Sequence, residues 1–119
     1  MHSVELFHDA IADHYTYKAV VTNAGGGNSV IKGSLTLLLR MTDGKEEKDV
    51  LLSELPEFEG EVPQKLRFRF FQNITGGFKL PADLQPVSML INAQISGQSQ
   101  PYRASYRWQD IVGQENTSL

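Results

Sequence analysis

Apolar and polar residues alternate with a period of two along most of this chain. In YTYKAVVTN, Tyr15, Tyr17, Ala19 and Val21 fall on one side and Thr16, Lys18, Val20 and Thr22 on the other, the mark of a strand with one buried face. After the turn cluster AGGGNS, VIKGSLTLLLR sets Ile31, Gly33, Leu35, Leu37 and Leu39 against Lys32, Ser34, Thr36 and Arg40. These two runs read as a hairpin. Gly33, inside the second, signals a bulge or a close backbone approach. Asp43-Gly44 marks the next turn, DVLLSEL is a short strand, and the acidic, proline-bounded PEFEGEVPQ is a surface linker.

Alternation resumes in KLRFRFFQNI, with Leu66, Phe68 and Phe70 expected in the core and Lys65, Arg67 and Arg69 in water. The following TGG reads as a tight turn with Gly76 or Gly77 left-handed, leading to a short strand FKL that stops at Pro81. VSMLINAQIS then sets Met89, Ile91, Ala93 and Ile95 against Asn92, Gln94 and Ser96, and YRASYRW sets Tyr102, Ala104, Tyr106 and Trp108 against Arg103, Ser105 and Arg107. The N-terminal SVELFHDAIADH fits either a helix face or a short strand. About seven strands separated by turn signals, with no ten-residue helix, predict an all-β fold: an antiparallel two-layer β-sandwich, immunoglobulin-like. Residues 1–112 form one domain in this reading, and residues 113–119 a frayed polar tail.

Composition fits a folded domain, since 40% of the residues are apolar and eleven are aromatic. The absence of cysteine excludes disulfides, thiolate metal sites and cysteine nucleophiles. No apolar run reaches the ~18 residues of a membrane span. The net charge of −3 hides a split: residues 1–61 hold eleven acids and five bases, residues 62–119 three acids and six bases. A chain acidic overall is not expected to bind nucleic acid.

The candidate chemistry is sparse. Gly25-Gly26-Gly27 lacks the Lys-Ser/Thr pair and following helix of a phosphate loop. His2, His8 and His14 lie near Asp9 and Asp13, but a spacing of six matches no zinc signature. Asn73-Ile74-Thr75 and Asn116-Thr117-Ser118 are formal glycosylation acceptors, meaningful only on a eukaryotic secretory route. No GxSxG elbow, HExxH helix or apolar-embedded carboxylate pair is present, so the chain reads as non-enzymatic and without a cofactor. The polar set with most potential is Arg67, Arg69, Arg103 and Arg107. On paired strands these would form one basic stripe able to grip carboxylates or phosphates. The simpler expectation is that they aid solubility and answer the acids between Glu46 and Glu61.

Taken in order, YTYKAVVTN, IKGSLTLLLRMTDGK, LRFRFFQNITGGFKLPADLQPVSMLI and YRASYRW resemble the C-terminal β-rich domain of an uncharacterised proteobacterial family of membrane-anchored coiled-coil proteins. The resemblance covers about residues 3–108. It implies a strand rather than a helix at SVELFH and gives Phe78, Leu80, Pro81 and Pro86 frame-building roles. It also implies an excised domain that a preceding helix and coiled coil hold at the periplasmic face of the cytoplasmic membrane. No activity comes with it. The expected function is therefore a non-catalytic module that binds a protein, the alternative being a module for a glycan or other anionic polymer, with contact to the membrane only through a segment absent from this chain.

Overall fold

The computed structural model describes residues 2–8, 13–23, 29–61 and 63–112. Among the described residues there are eight strands: β1 (His2–His8), β2 (His14–Thr22), β3 (Ile31–Thr42), β4 (Glu47–Leu51), β5 (Gln64–Phe68), β6 (Phe71–Lys79), β7 (Gln85–Ile95) and β8 (Tyr102–Arg107). One helical turn, α1 (Trp108–Ile111), closes the last strand, and a 3-10 turn spans Leu52–Glu54. The strands form two antiparallel sheets. One has the order β1-β2-β6, and the other β4-β3-β7-β8 with β5 paired to the same edge of β3 as β4. β1, β2 and β6 facing a sheet built on β3, β7 and β8 is the strand partition of an immunoglobulin-like sandwich.

The core lies between the sheets. Tyr17, Ala19, Ile74 and Phe78 enter it from the three-stranded layer, and Leu35, Leu37, Leu39, Met41, Met89, Ile91 and Ala93 from the other. Apart from Met41 and the β6 residues Ile74 and Phe78, these are the odd positions of β2, β3 and β7 that alternation assigned to the inside. Each fully buried Leu, Ile, Met or Phe contributes about 1.5–3 kcal/mol in apolar burial. The polar loops and paired ladders do the rest of the positioning.

Several expectations are corrected. β2 and β3 do not form a hairpin: β2 pairs with β1 and β6, while β3 pairs with β4, β5 and β7. Their apolar faces meet across the core from opposite layers, so alternation identified the buried face but not the pairing partner. Gly76 and Gly77 are not a turn. They lie inside β6, opposite Tyr17 and Thr16, and the positive-φ glycines among the described residues are Gly44, Gly60 and Gly97. Phe78 and Lys79 of FKL are the end of that same strand, and Leu80 lies just past it. The chain instead bends at Arg69-Phe70, which carries it from one sheet to the other and leaves Phe70 64% exposed rather than in the core.

The strand expected at DVLLSEL begins at Glu47 and ends at Leu51, because the 3-10 turn swings Leu52 and Leu55 into the core. Tyr102, expected inside, is 46% exposed on edge strand β8. Trp108 sits in the helical turn and not in the strand. It still packs on the core, its ring centroid 5.0 Å from that of Tyr15 with the planes at 76°. Other readings hold. SVELFH is strand β1, and a Cβ on Gly33 would lie 2.1 Å from the Gln94 carbonyl oxygen, so the close approach there is real. The ladder irregularity falls elsewhere, between Arg40 and Met41. Asn73 is exposed within β6 and not at a turn. Gly25–Gly27, Asp9, Asn116 and the tail at residues 113–119 lie outside the described residues, as do the side chains of His2 and His8.

Candidate binding faces

The even positions of β3 face away from the core, and the ladders extend each into a row across the five-stranded sheet. Thr36, Asn92 and Arg103 form one row. Leu51, Leu38, Leu90 and Ser105 form the next. Asp49, Arg40, Ser88 and Arg107 form the third. Three of the four residues in the middle row are apolar on a face that alternation makes polar, and Leu51 is an exposed large hydrophobic residue. A shallow depression of about 500 Å³ runs over this region, with Leu38, Leu90, Asn92 and Arg103 in its wall.

Its electrostatics are local. Arg40 donates from Nε to Asp49 Oδ1 at 2.8 Å and from Nη2 to Oδ2 at 3.1 Å, a two-pronged pair fixed by adjacent strands. The hydrogen bond from Arg40 holds the Asp49 carboxyl below the usual carboxylate range, and the same bond raises the Arg40 guanidinium. Asn92 Oδ1 is buried and has no hydrogen-bond partner among the described residues. An acceptor left in that state costs about 1–3 kcal/mol.

The four candidate arginines are divided. Arg103 and Arg107 lie four residues apart along β8 on this outer face, and Arg107 is taken by Asp110, Nε to Oδ2 at 3.0 Å. Arg67 lies on β5 beside Lys32, separated from β8 by β3 and β7. Arg69 sits in the β5–β6 bend, where the Asn23 side-chain amide donates to its carbonyl at 3.3 Å. Gln72 stitches that corner, accepting from the Arg67 amide at 2.8 Å and donating to the Lys65 carbonyl at 2.9 Å. β5 and β8 do not pair, so no continuous stripe joins the four. No ion pair among the described residues links Arg67, Arg69 or Arg103 to an acid, and the acid in the 46–61 segment that meets an arginine is Asp49, on Arg40.

A second recess opens between β4 and β5, which occupy opposite halves of one β3 edge and leave Thr36 and Leu37 between them. It is a cavity of about 230 Å³ with Tyr17, Leu35, Leu37, Leu52 and Phe58 in its wall and Glu61 and Gln64 also lining it. Burial pushes the Tyr17 phenol above its ordinary pKa, so the hydroxyl there is neutral and not a base. Among the described residues no group of three His, Cys, Asp or Glu side chains could hold a metal ion.

The family model of a family of unknown function, DUF6776, matches residues 1–91. The chain belongs to this family. The match covers β1 to β6 and ends within β7, so Leu38, Arg40, Asp49 and Leu90 fall inside it, and Asn92, Arg103 and Arg107 beyond it. No curated protein matches the chain. Among solved structures, the collagen binding subdomain of the Enterococcus faecalis surface protein ACE is similar over 87% of this chain and 92% of that one, at 14% identity and a TM-score of 0.34. A likeness that weak carries no argument. No helix among the described residues is long and apolar enough to cross a membrane.

The sequence contained a signal for the outer face that alternation hid. Leu37-Leu38-Leu39 and Met89-Leu90-Ile91 each place an apolar residue where the period demands a polar one. Two such breaks at positions that pair across a ladder mark an apolar spot on a solvent face.

Proposed function

We propose that this DUF6776 chain is a non-catalytic binding module of a bacterial membrane-anchored protein and that it takes a protein partner on the outer face of its five-stranded sheet. The observation that carries this reading is the Leu51-Leu38-Leu90 row, an apolar centre on an otherwise polar face. Around it stand the Arg40–Asp49 pair, Arg103 and the orphan Asn92 acceptor. An apolar centre with an arginine-rich polar rim is the anatomy of a protein interface. The module, residues 1–112 in this reading, stands on the periplasmic side of the membrane, carried by a coiled coil.

A photocrosslinking residue at Ser105 or Leu90 in the full-length protein tests this in the cell. The expected result is a discrete protein adduct from both positions, lost with Arg103→Glu, and none from Thr75 on the other sheet. Equal adducts from Thr75, or none from the outer face, refute the assignment. The open guanidinium groups of Arg67 and Arg69 favour a second reading, a glycan or other anionic polymer. That reading requires steep loss of binding with added salt, which an apolar contact does not show.

A further inference from the structure

At one end of the sandwich Asn23, Val30, the β5–β6 bend and Ser96 come together around two adjacent exposed aromatic residues. Phe70 and Phe71 are consecutive at the bend and are 64% and 59% exposed, and Val30 nearby is 38% exposed. The described residues are tied together here: the Asn23 amide donates to the Phe70 carbonyl at 3.0 Å, Ile31 pairs with Phe68, and the Ser96 amide donates to the Lys32 carbonyl at 2.8 Å. Lys32 and Arg67 are ladder partners just behind the tip, and Arg69 is part of it. The loop sequences NAGGGNSV and SGQSQP contain no acid. Glu61 is set back, accepting from the Lys65 amide.

We infer that this end docks on the surface of an anionic lipid bilayer, Phe70 and Phe71 entering the interface and Lys32, Arg67 and Arg69 facing the headgroups. Two aromatic side chains on a bend bury far less than the ~800 Å² a side of a standard protein interface. They suit a bilayer, which accepts an apolar tip without shape matching and prefers aromatic rings at headgroup depth. The charge is complementary as well. Cations near an anionic leaflet are attracted over about a Debye length, each lost cation weakening partition roughly fivefold. The contact forms without opening the core, and of the outer face of the five-stranded sheet it uses only the end at Lys32 and Arg67.

Co-sedimentation with phosphatidylcholine vesicles and with phosphatidylcholine vesicles containing phosphatidylglycerol tests the inference. The chain is expected to bind the anionic vesicles and hardly the neutral ones. Phe70→Ser/Phe71→Ser and Arg67→Glu/Arg69→Glu are each expected to lower partition at least tenfold with an unchanged melting temperature. As a second measurement, Phe70→Trp in a Trp108→Phe background is expected to shift its emission to the blue on anionic vesicles and to be quenched by brominated lipid. Absence of binding to anionic vesicles, or binding that survives the loss of both phenylalanines, overturns the inference. Retention on heparin without vesicle binding assigns the cations to a polyanion instead. A protein crosslinked at Phe70 without vesicle binding assigns the tip to a protein partner.

Discussion

A Cβ on Gly76 would stand 2.3 Å from the Tyr17 hydroxyl and 2.4 Å from the Glu59 carbonyl oxygen. Gly76→Ala is therefore expected to destabilise by about 1–3 kcal/mol, the range of overpacking substitutions. Adding Tyr17→Phe should recover only part of that loss, because the carbonyl stays in place; full recovery in a denaturant double-mutant cycle would show that the hydroxyl alone sets the limit. Asn92 presents the opposite case. Its buried, orphaned Oδ1 means that Asn92→Leu should leave the melting temperature unchanged or raised while weakening partner capture on the outer face. Trp108 is half-buried against Tyr15, so Trp108→Ala should cost about 2–3 kcal/mol, less than the ~3–5 of a fully buried aromatic. A loss under ~1 kcal/mol would detach it from the core.

At the scale of elements, the β3–β4 hairpin ties the fold to pH. Asp43 Oδ1 accepts from the Lys45 amide at 2.8 Å and the Glu46 amide at 3.0 Å, and these bonds, that from Glu46 foremost, hold its carboxyl below the usual range. Asp49 is lowered by Arg40. A carboxylate with a depressed folded pKa adds stability above the unfolded pKa of ~4, and that increment is lost as pH falls through the folded value. Melting temperature should therefore drop on acidification, modestly because both groups face solvent, and Asp43→Asn/Asp49→Asn should flatten the slope measured by circular dichroism. This hairpin was legible from Asp43-Gly44 and from alternation, as were the buried positions of β2, β3 and β7. What alternation could not convey was partnership. A period of two specifies a buried face and leaves open which strand lies beside it, so β2 and β3 read as a hairpin. The Gly-Gly of β6 read as a turn because close approach and turn geometry demand the same residue. Of the candidate site, Arg103 and Arg107 were visible as outward residues, whereas the Leu38–Leu90 spot depends on a ladder between runs fifty residues apart in sequence.

Across the whole molecule, the charge split of the sequence becomes a spatial one. The acids of the 46–61 segment lie along β4, the 3-10 turn and the linker behind it, and within that group Asp49 meets an arginine, Arg40. Lys32, Arg67 and Arg69 gather instead at the β5–β6 corner, where no ion pair among the described residues engages either arginine. If the arginines served to answer the acidic linker, reversing them would destabilise the sandwich. The geometry predicts otherwise. Arg67→Glu/Arg69→Glu should keep the melting temperature of the parent within the small range of exposed charges, ~0–1 kcal/mol each, because Gln72 holds the corner through the Arg67 and Lys65 backbone and not through a guanidinium. Gln72→Ala in the same assay should cost more than the double reversal, since it removes two hydrogen bonds that bridge the sheets at the bend, each worth about 1 kcal/mol. A double reversal that melts well below Gln72→Ala would mean that the arginines brace the fold, and would withdraw them from any role in binding.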